Sequence, residues 1–87
     1  MSALTVNTQI ERFITEKLLR GSRQSVGPDE SLISSGILDS LNWLQLVGFV
    51  EKRFGVKIED SELTPEAWDT VNAIGELVVR KQANRKA

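Results

Sequence analysis

The apolar positions of this chain recur with helical spacing, and long gaps separate the runs. Ile10, Phe13, Ile14 and Leu18 follow the i, i+3, i+4, i+8 order of one helical face and predict a first helix from Thr8 to Leu19. Thr8 and Glu11 read as a capping box at its start, and Gly21 as the residue just past its end. Residues 21–38 then form a long connection punctuated by Gly21, Ser22, Ser25, Gly27, Pro28, Ser34, Ser35 and Gly36. Leu32, Ile33, Ile37 and Leu38 are expected to tuck inward and steady it. A connection this long in a small domain is usually functional.

The second helix is expected from Asp39 or Ser40 to Phe54, with Gly55 ending it. At about 100° per residue, Trp43, Leu46, Val47, Val50 and Phe54 share one core-facing arc. Leu41, Leu44 and Gly48 lie on a different arc, close to Ser40. Val56-Lys57-Ile58 alternates, but a strand so short with no partner makes no sheet, so it reads as an extended connector plugging Val56 and Ile58 into the core. Thr64 and Pro65 open a short helix through Trp68, as N-cap and first helical residue. Thr70 caps a last helix with Val71, Ile74, Leu77 and Val78 on its inner face. The fold class is therefore all-α: a four-helix bundle of three long helices and one short, with a long loop between helices I and II. The expected boundaries are a flexible N-terminus at 1–7, the domain at 8–80 and a basic flexible tail at 81–87.

Composition narrows the chemistry. The 87 residues include no Cys and no His, so disulfides and structural zinc are not expected. The start lacks the charged region and apolar core of a secretory signal, and no apolar run reaches the roughly 18 residues of a membrane span. Net charge is −1, yet residues 24–79 sum to −7 while residues 80–87 sum to +4. An acidic body disfavours nucleic-acid binding, and the basic end reads as a solvated helix terminus.

Ser40 stands where the loop becomes helix, in Gly36-Ile37-Leu38-Asp39-Ser40-Leu41. The plain reading of Asp39-Ser40 is an N-cap. Asp39 alone would suffice as the cap, and exposed leucines surround the serine. A triad nucleophile fails for want of a histidine, and Lys52 lies three turns along the helix. A serine that is itself modified needs exposure, a defined helix terminus and a docking surface, and a helix N-terminus also favours a phosphate ester. No catalytic residue and no metal site is expected.

At these residues the chain resembles the acyl and peptidyl (aminoacyl) carrier proteins. The likeness runs from Gly36 to Leu41, through Glu51-Lys52-Arg53-Phe54-Gly55-Val56-Lys57-Ile58 and Asp60, to Pro65–Trp68 and Thr70-Val71-Asn72-Ala73-Ile74. It covers about residues 8–80. The resemblance implies that Ser40 carries a 4′-phosphopantetheine arm, added from coenzyme A by a phosphopantetheinyl transferase. The arm's thiol would hold cargo as a thioester, so the chain would be a shuttle rather than an enzyme. Asp39 and Leu41 would support the motif, and Leu41, Leu44 and Gly48 would form a docking patch. The implied partners are an acyl- or aminoacyl-adenylating ligase and downstream transfer or tailoring enzymes. The implied setting is a cytoplasmic, stand-alone monomer with no nucleic-acid or membrane partner.

Asn42 and Gln45 stand where fatty-acid-type carriers usually place acids. Ile37-Leu38-Asp39-Ser40, with Pro65-Glu66-Ala67-Trp68-Asp69-Thr70 later, looks more like stand-alone aminoacyl or peptidyl carriers and D-alanyl carriers, which points to a specialised pathway of nonribosomal peptide or polyketide type. A fatty-acid-synthesis carrier and a D-alanyl carrier are the alternatives. A helical protein-interaction module with Ser40 as a mere cap is the competing class, and a small enzyme is the third. Trp43 and Trp68 are expected to fill the core, leaving small or polar cargo outside the bundle.

Overall fold

The computed structural model describes residues 3–84. Four α-helices appear among them: α1 (Ala3–Phe13), α2 (Ser40–Phe54), α3 (Pro65–Trp68) and α4 (Val71–Asn84). A π-helical turn, Ile14–Leu18, extends α1, and a 3-10 turn, Asp60–Glu62, precedes α3. No strand is present among the described residues, and the all-α expectation holds.

The chain's core is one cluster. Val6, Ile10 and Ile14 of the first helical segment are fully buried, as are Leu46 and Val50 of α2, Trp68 of α3, and Ile74 and Val78 of α4. Leu32, Ile37 and Leu38 of the long loop join them, and Val56 and Ile58 plug in as expected. Helix α1 packs chiefly against α4. A Cβ on Gly75 of α4 would fall 1.7 Å from the Asn7 side-chain oxygen, so glycine leaves the space that the Asn7 amide occupies between the two helices. Beside it, the Asn7 amide donates to the Asn72 side chain (2.9 Å), whose own amide donates to Asp29 (2.9 Å). This polar chain links α1, α4 and the loop.

Three sequence expectations change. First, α1 spans Ala3–Phe13, so Thr8 lies inside the helix rather than at its N-cap. Glu11 serves elsewhere: its carboxylate accepts the Val26 N–H (3.0 Å) and holds the start of the loop. Burying Val6, one turn before Ile10, outweighs a capping signal that contributes only about 1 kcal/mol. Residues 3–7, assigned to a flexible segment, are thus helical, and so are 81–84 of the expected tail. Residues 1–2 and 85–87 lie outside the described residues. Second, Ile33 is exposed rather than tucked in. Third, α1 ends through the π-helical turn, and Arg20 at φ +52° precedes Gly21 at φ +77°.

The loop before α2 is long but ordered by side-chain hydrogen bonds. Asp69, between α3 and α4, does most of this. Its carboxylate accepts from the Ser31 hydroxyl (2.7 Å) and the Ile33 N–H (3.1 Å), and its carbonyl accepts the Leu32 N–H (2.6 Å). The Leu38 N–H donates to the Leu32 carbonyl (3.0 Å), which closes the loop just ahead of α2.

Earlier in the loop, Arg23 makes two bonds to Glu30, at 2.7 and 2.9 Å. The Arg23 hydrogen bond, helped by the Gly27 N–H, lowers the Glu30 carboxyl from 4.5 to about 2. A carboxyl depressed on folding stabilises the fold above its unfolded pKa and loses that contribution as pH falls through its folded pKa. Wild type should therefore exceed Glu30→Gln in urea midpoint at neutral pH, with the gap closing between pH 4.5 and about 2. A gap independent of pH would rule this out.

Candidate functional site

The N-terminus of α2 is set by Asp39. This residue is extended (φ −92°, ψ −176°), its carboxylate accepts the Asn42 N–H at 2.8 Å, and its carbonyl accepts the Trp43 N–H at 2.8 Å. Asp39 is thus the N-cap, and Ser40 is the first helical residue. Ser40 is exposed, and the cap bond does not engage its hydroxyl. The Asn42 side-chain amide reaches back to the Ile37 carbonyl (2.8 Å) and closes the turn from the other side. An acid at this position has no N–H for that bond, so Asn42 has a structural role besides lacking charge.

An open groove of about 320 Å³ begins at Ser40, lined by Ser40, Trp43, Leu44, Val47 and Leu63. Its walls are almost wholly hydrocarbon. Leu44 is 72 % exposed and Leu41 64 %, far more than helix solubility calls for. Leu41 is exposed beside the groove without lining it, and Gly48 lines a different groove facing α1. The docking residues expected from the wheel therefore divide between two faces.

Leu63 is the groove residue that the sequence reading missed. It sits just before the Thr64 N-cap of α3, whose hydroxyl accepts the Ala67 N–H (3.3 Å). An apolar residue at that position is the signature of a hydrophobic staple and could have drawn attention to it. The 3-10 turn fixes it in place. There Glu62 accepts the Glu59 N–H (2.8 Å) and binds Lys81 of α4 through both oxygens (2.9 and 3.1 Å), and these contacts lower its pKa.

The two tryptophans differ. Trp68 is fully buried, and its indole N–H donates to the Glu62 carbonyl (2.8 Å). Trp43 is half-buried between the core and the groove, and its buried indole N–H has no partner among the described residues. Trp68 thus fills the core as expected, and truncating a residue so placed typically costs about 3–5 kcal/mol.

The chemistry available to Ser40 follows from its neighbours. Lys52 lies about 18 Å along the helix by rise alone, too far to act as its base. No cluster of three or more acidic, His or Cys side chains suited to a metal occurs among the described residues. The exposed hydroxyl at the start of a 15-residue helix suits a phosphate ester, which the helix N-terminus stabilises.

Comparison with known proteins gives a family and several relatives. The family described as "Phosphopantetheine attachment site" matches residues 9–78. The D-alanyl carrier protein of Streptococcus uberis is 43% identical over 54 residues, covering 62% of this chain and 68% of that protein. The D-alanyl carrier protein of Streptococcus equi subsp. zooepidemicus is 41% identical over 46 residues, 53% of this chain and 58% of that protein. The chain thus spans well short of the full length of these curated relatives. A solved chain, from a structure described as "Crystal structure of FAD-dependent dehydrogenase", superposes with a TM-score of 0.74 at 32% identity. That superposition covers 79% of this chain and 97% of the other.

Replacing Asn42 by Ala should cost about 1 kcal/mol, the usual net value of one such hydrogen bond. Asn42→Asp should cost less, because a negative charge in the first turn recovers about 0.3–1 kcal/mol from the helix dipole. Denaturant titration of both variants checks the order. A neutral Asn42→Ala would mean that the Ile37 contact contributes nothing.

Proposed function

The chain belongs to the phosphopantetheine attachment site family, and from that premise we propose that Ser40 is the residue that carries its 4′-phosphopantetheine. A protein of this family is a carrier of a covalently held prosthetic group, not a catalyst. The observation that carries the assignment is the division of labour at the α2 terminus. Asp39 satisfies the cap, and Ser40 keeps an exposed hydroxyl on a fixed helix end.

The residues present fit the group. When attached, the arm supplies a thiol that holds cargo as a thioester. The chain's own residues present and orient. Asp39 and Asn42 hold the turn, the first-turn N–H groups favour the phosphodiester, and Leu41 and Leu44 offer apolar surface to the enzymes that visit it. Ser40 would gain its arm from coenzyme A through a phosphopantetheinyl transferase, and an adenylating ligase would load the thiol.

We place a small aminoacyl group as cargo. The D-alanyl carrier relatives support this, and so does the Trp68-filled core, which a long acyl chain would have to displace. The apolar groove from Ser40 to Leu63 would hold such a cargo against the outside of the bundle. The likeness to a chain from the FAD-dependent dehydrogenase structure favours a flavin enzyme among the partners, acting on the cargo while it is attached. That accords with the specialised pathway of nonribosomal peptide type implied by the sequence resemblance. We place the carrier in the cytoplasm, where coenzyme A is available; no helix among the described residues is long and apolar enough to cross a membrane.

Incubation with coenzyme A and a promiscuous phosphopantetheinyl transferase should add the mass of one arm to the wild-type chain and none to Ser40→Ala. Equal gain by both, or gain by neither, overturns the assignment. For the cargo, NMR of the aminoacyl-loaded protein should show shifts confined to the Ser40–Leu63 groove. A long acyl chain that moved core signals such as Trp68 as strongly would sink the outside-cargo reading.

A further inference from the structure

A second face of the molecule, on the side of α2 that meets α1, has features the fold does not require. Phe13 of α1 and Phe49 of α2 stack there with ring centroids 4.3 Å apart, both only half-buried. Two open grooves flank the pair, of about 550 and 220 Å³. Their charged lining residues are Arg12, Lys17, Lys52 and Arg53, with Glu16 as the single acid. Lys52 and Arg53 are two of the three cations within residues 24–79, a segment of net charge −7. Position on its own helix accounts for each of these two, since cations suit a helix C-terminus. It does not account for their meeting Arg12 and Lys17 from another helix across one aromatic pair.

Gly48 is the second observation. It sits in the middle of α2, is exposed, and lines the larger groove. A Cβ there would meet nothing within 4 Å, and its φ is not left-handed, so neither packing nor backbone calls for glycine. A glycine at such a place lowers helix stability relative to alanine. What it provides is a notch, open beside Phe49 and Phe13.

We infer that this face docks a partner protein through an acidic segment that inserts one apolar side chain into the Gly48 notch, its carboxylates meeting Arg12, Lys17, Lys52 and Arg53. The choice of an acidic protein partner rests on charge complementarity around an aromatic floor. A nucleic acid would meet an otherwise acidic body. The face is separate from the Ser40 groove, so a partner held here leaves the arm's attachment point open to a second enzyme.

The probe is a short glutamate-rich helical peptide with one central tryptophan, titrated into isotope-labelled protein at low salt. Amide signals of Phe13, Phe49, Lys52 and Arg53 should shift. Lys52→Glu with Arg53→Glu should weaken binding at least tenfold. Gly48→Ala should raise the melting temperature yet also weaken binding, a combination that misfolding cannot produce. The proposal is overturned if the shifts centre on Leu44 and Leu63, if Gly48→Ala binds as wild type, or if a tryptophan-free peptide binds equally. It is also overturned if phosphatidylglycerol vesicles, rather than the peptide, shift these signals, or if the peptide instead drives self-association seen by light scattering. Affinity measured before and after coenzyme A treatment should agree, so a failure here is distinct from a failure of arm attachment, which mass alone reports.

Discussion

Asp69 is the constraint on which the rest of the site depends. One carboxylate oxygen and one carbonyl, at the junction of α3 and α4, take three hydrogen bonds from Ser31, Leu32 and Ile33. Without them the long loop would be anchored in its second half mainly by Leu32, Ile37 and Leu38. With them the loop behaves as a brace, and its last turn closes through Leu38 and Leu32. The entropy of ordering a loop of this length is substantial, at about 1–2 kcal/mol per residue fixed. Polar bonds and buried leucines together offset it, and the reward is a fixed start for α2.

That fixed start separates two duties that a single residue could have performed. The Asp39 carboxylate takes the Asn42 N–H in the first turn of the helix, while Ser40 stays exposed outside that bond. A serine that capped the helix would have its oxygen turned toward the backbone and less open to an incoming phosphate. Asn42 completes the arrangement from the far side of the turn. An acid at position 42 would lack the donor that this turn uses. The neutral residue at position 42 thus has a structural reason.

The molecule divides its surface in the same way. One groove is hydrocarbon, begins at Ser40 and is completed by Leu63. The other is cationic and aromatic and borders Gly48. Both lie along α2, which packs more thinly on its neighbours than α1 and α4 pack on each other. A helix left partly uncovered by the bundle can present two faces without loosening the core, which Trp68 and the α1–α4 contact sustain.

Much of this was legible in the chain. Helical periodicity placed α2 and α4, Thr64-Pro65 placed α3, and the missing histidine removed the serine-nucleophile reading of Ser40. These are short-range signals: spacing, capping and the presence or absence of a functional group act within a few residues. Where α1 begins was not legible, because the capping signal at Thr8 competed with burial of Val6 against distant parts of the chain. Nor was the partition of Leu44 and Gly48 between two grooves, the recruitment of Leu63 beside Ser40, or the meeting of Arg12 and Lys17 with Lys52 and Arg53. A helical wheel orders one helix and says nothing of which neighbour covers which arc. The sequence by itself determined the elements and the exposed serine at a helix terminus. Only tertiary packing decided what surrounds that serine, since residues far apart in the chain become neighbours only when the helices bury their apolar faces together.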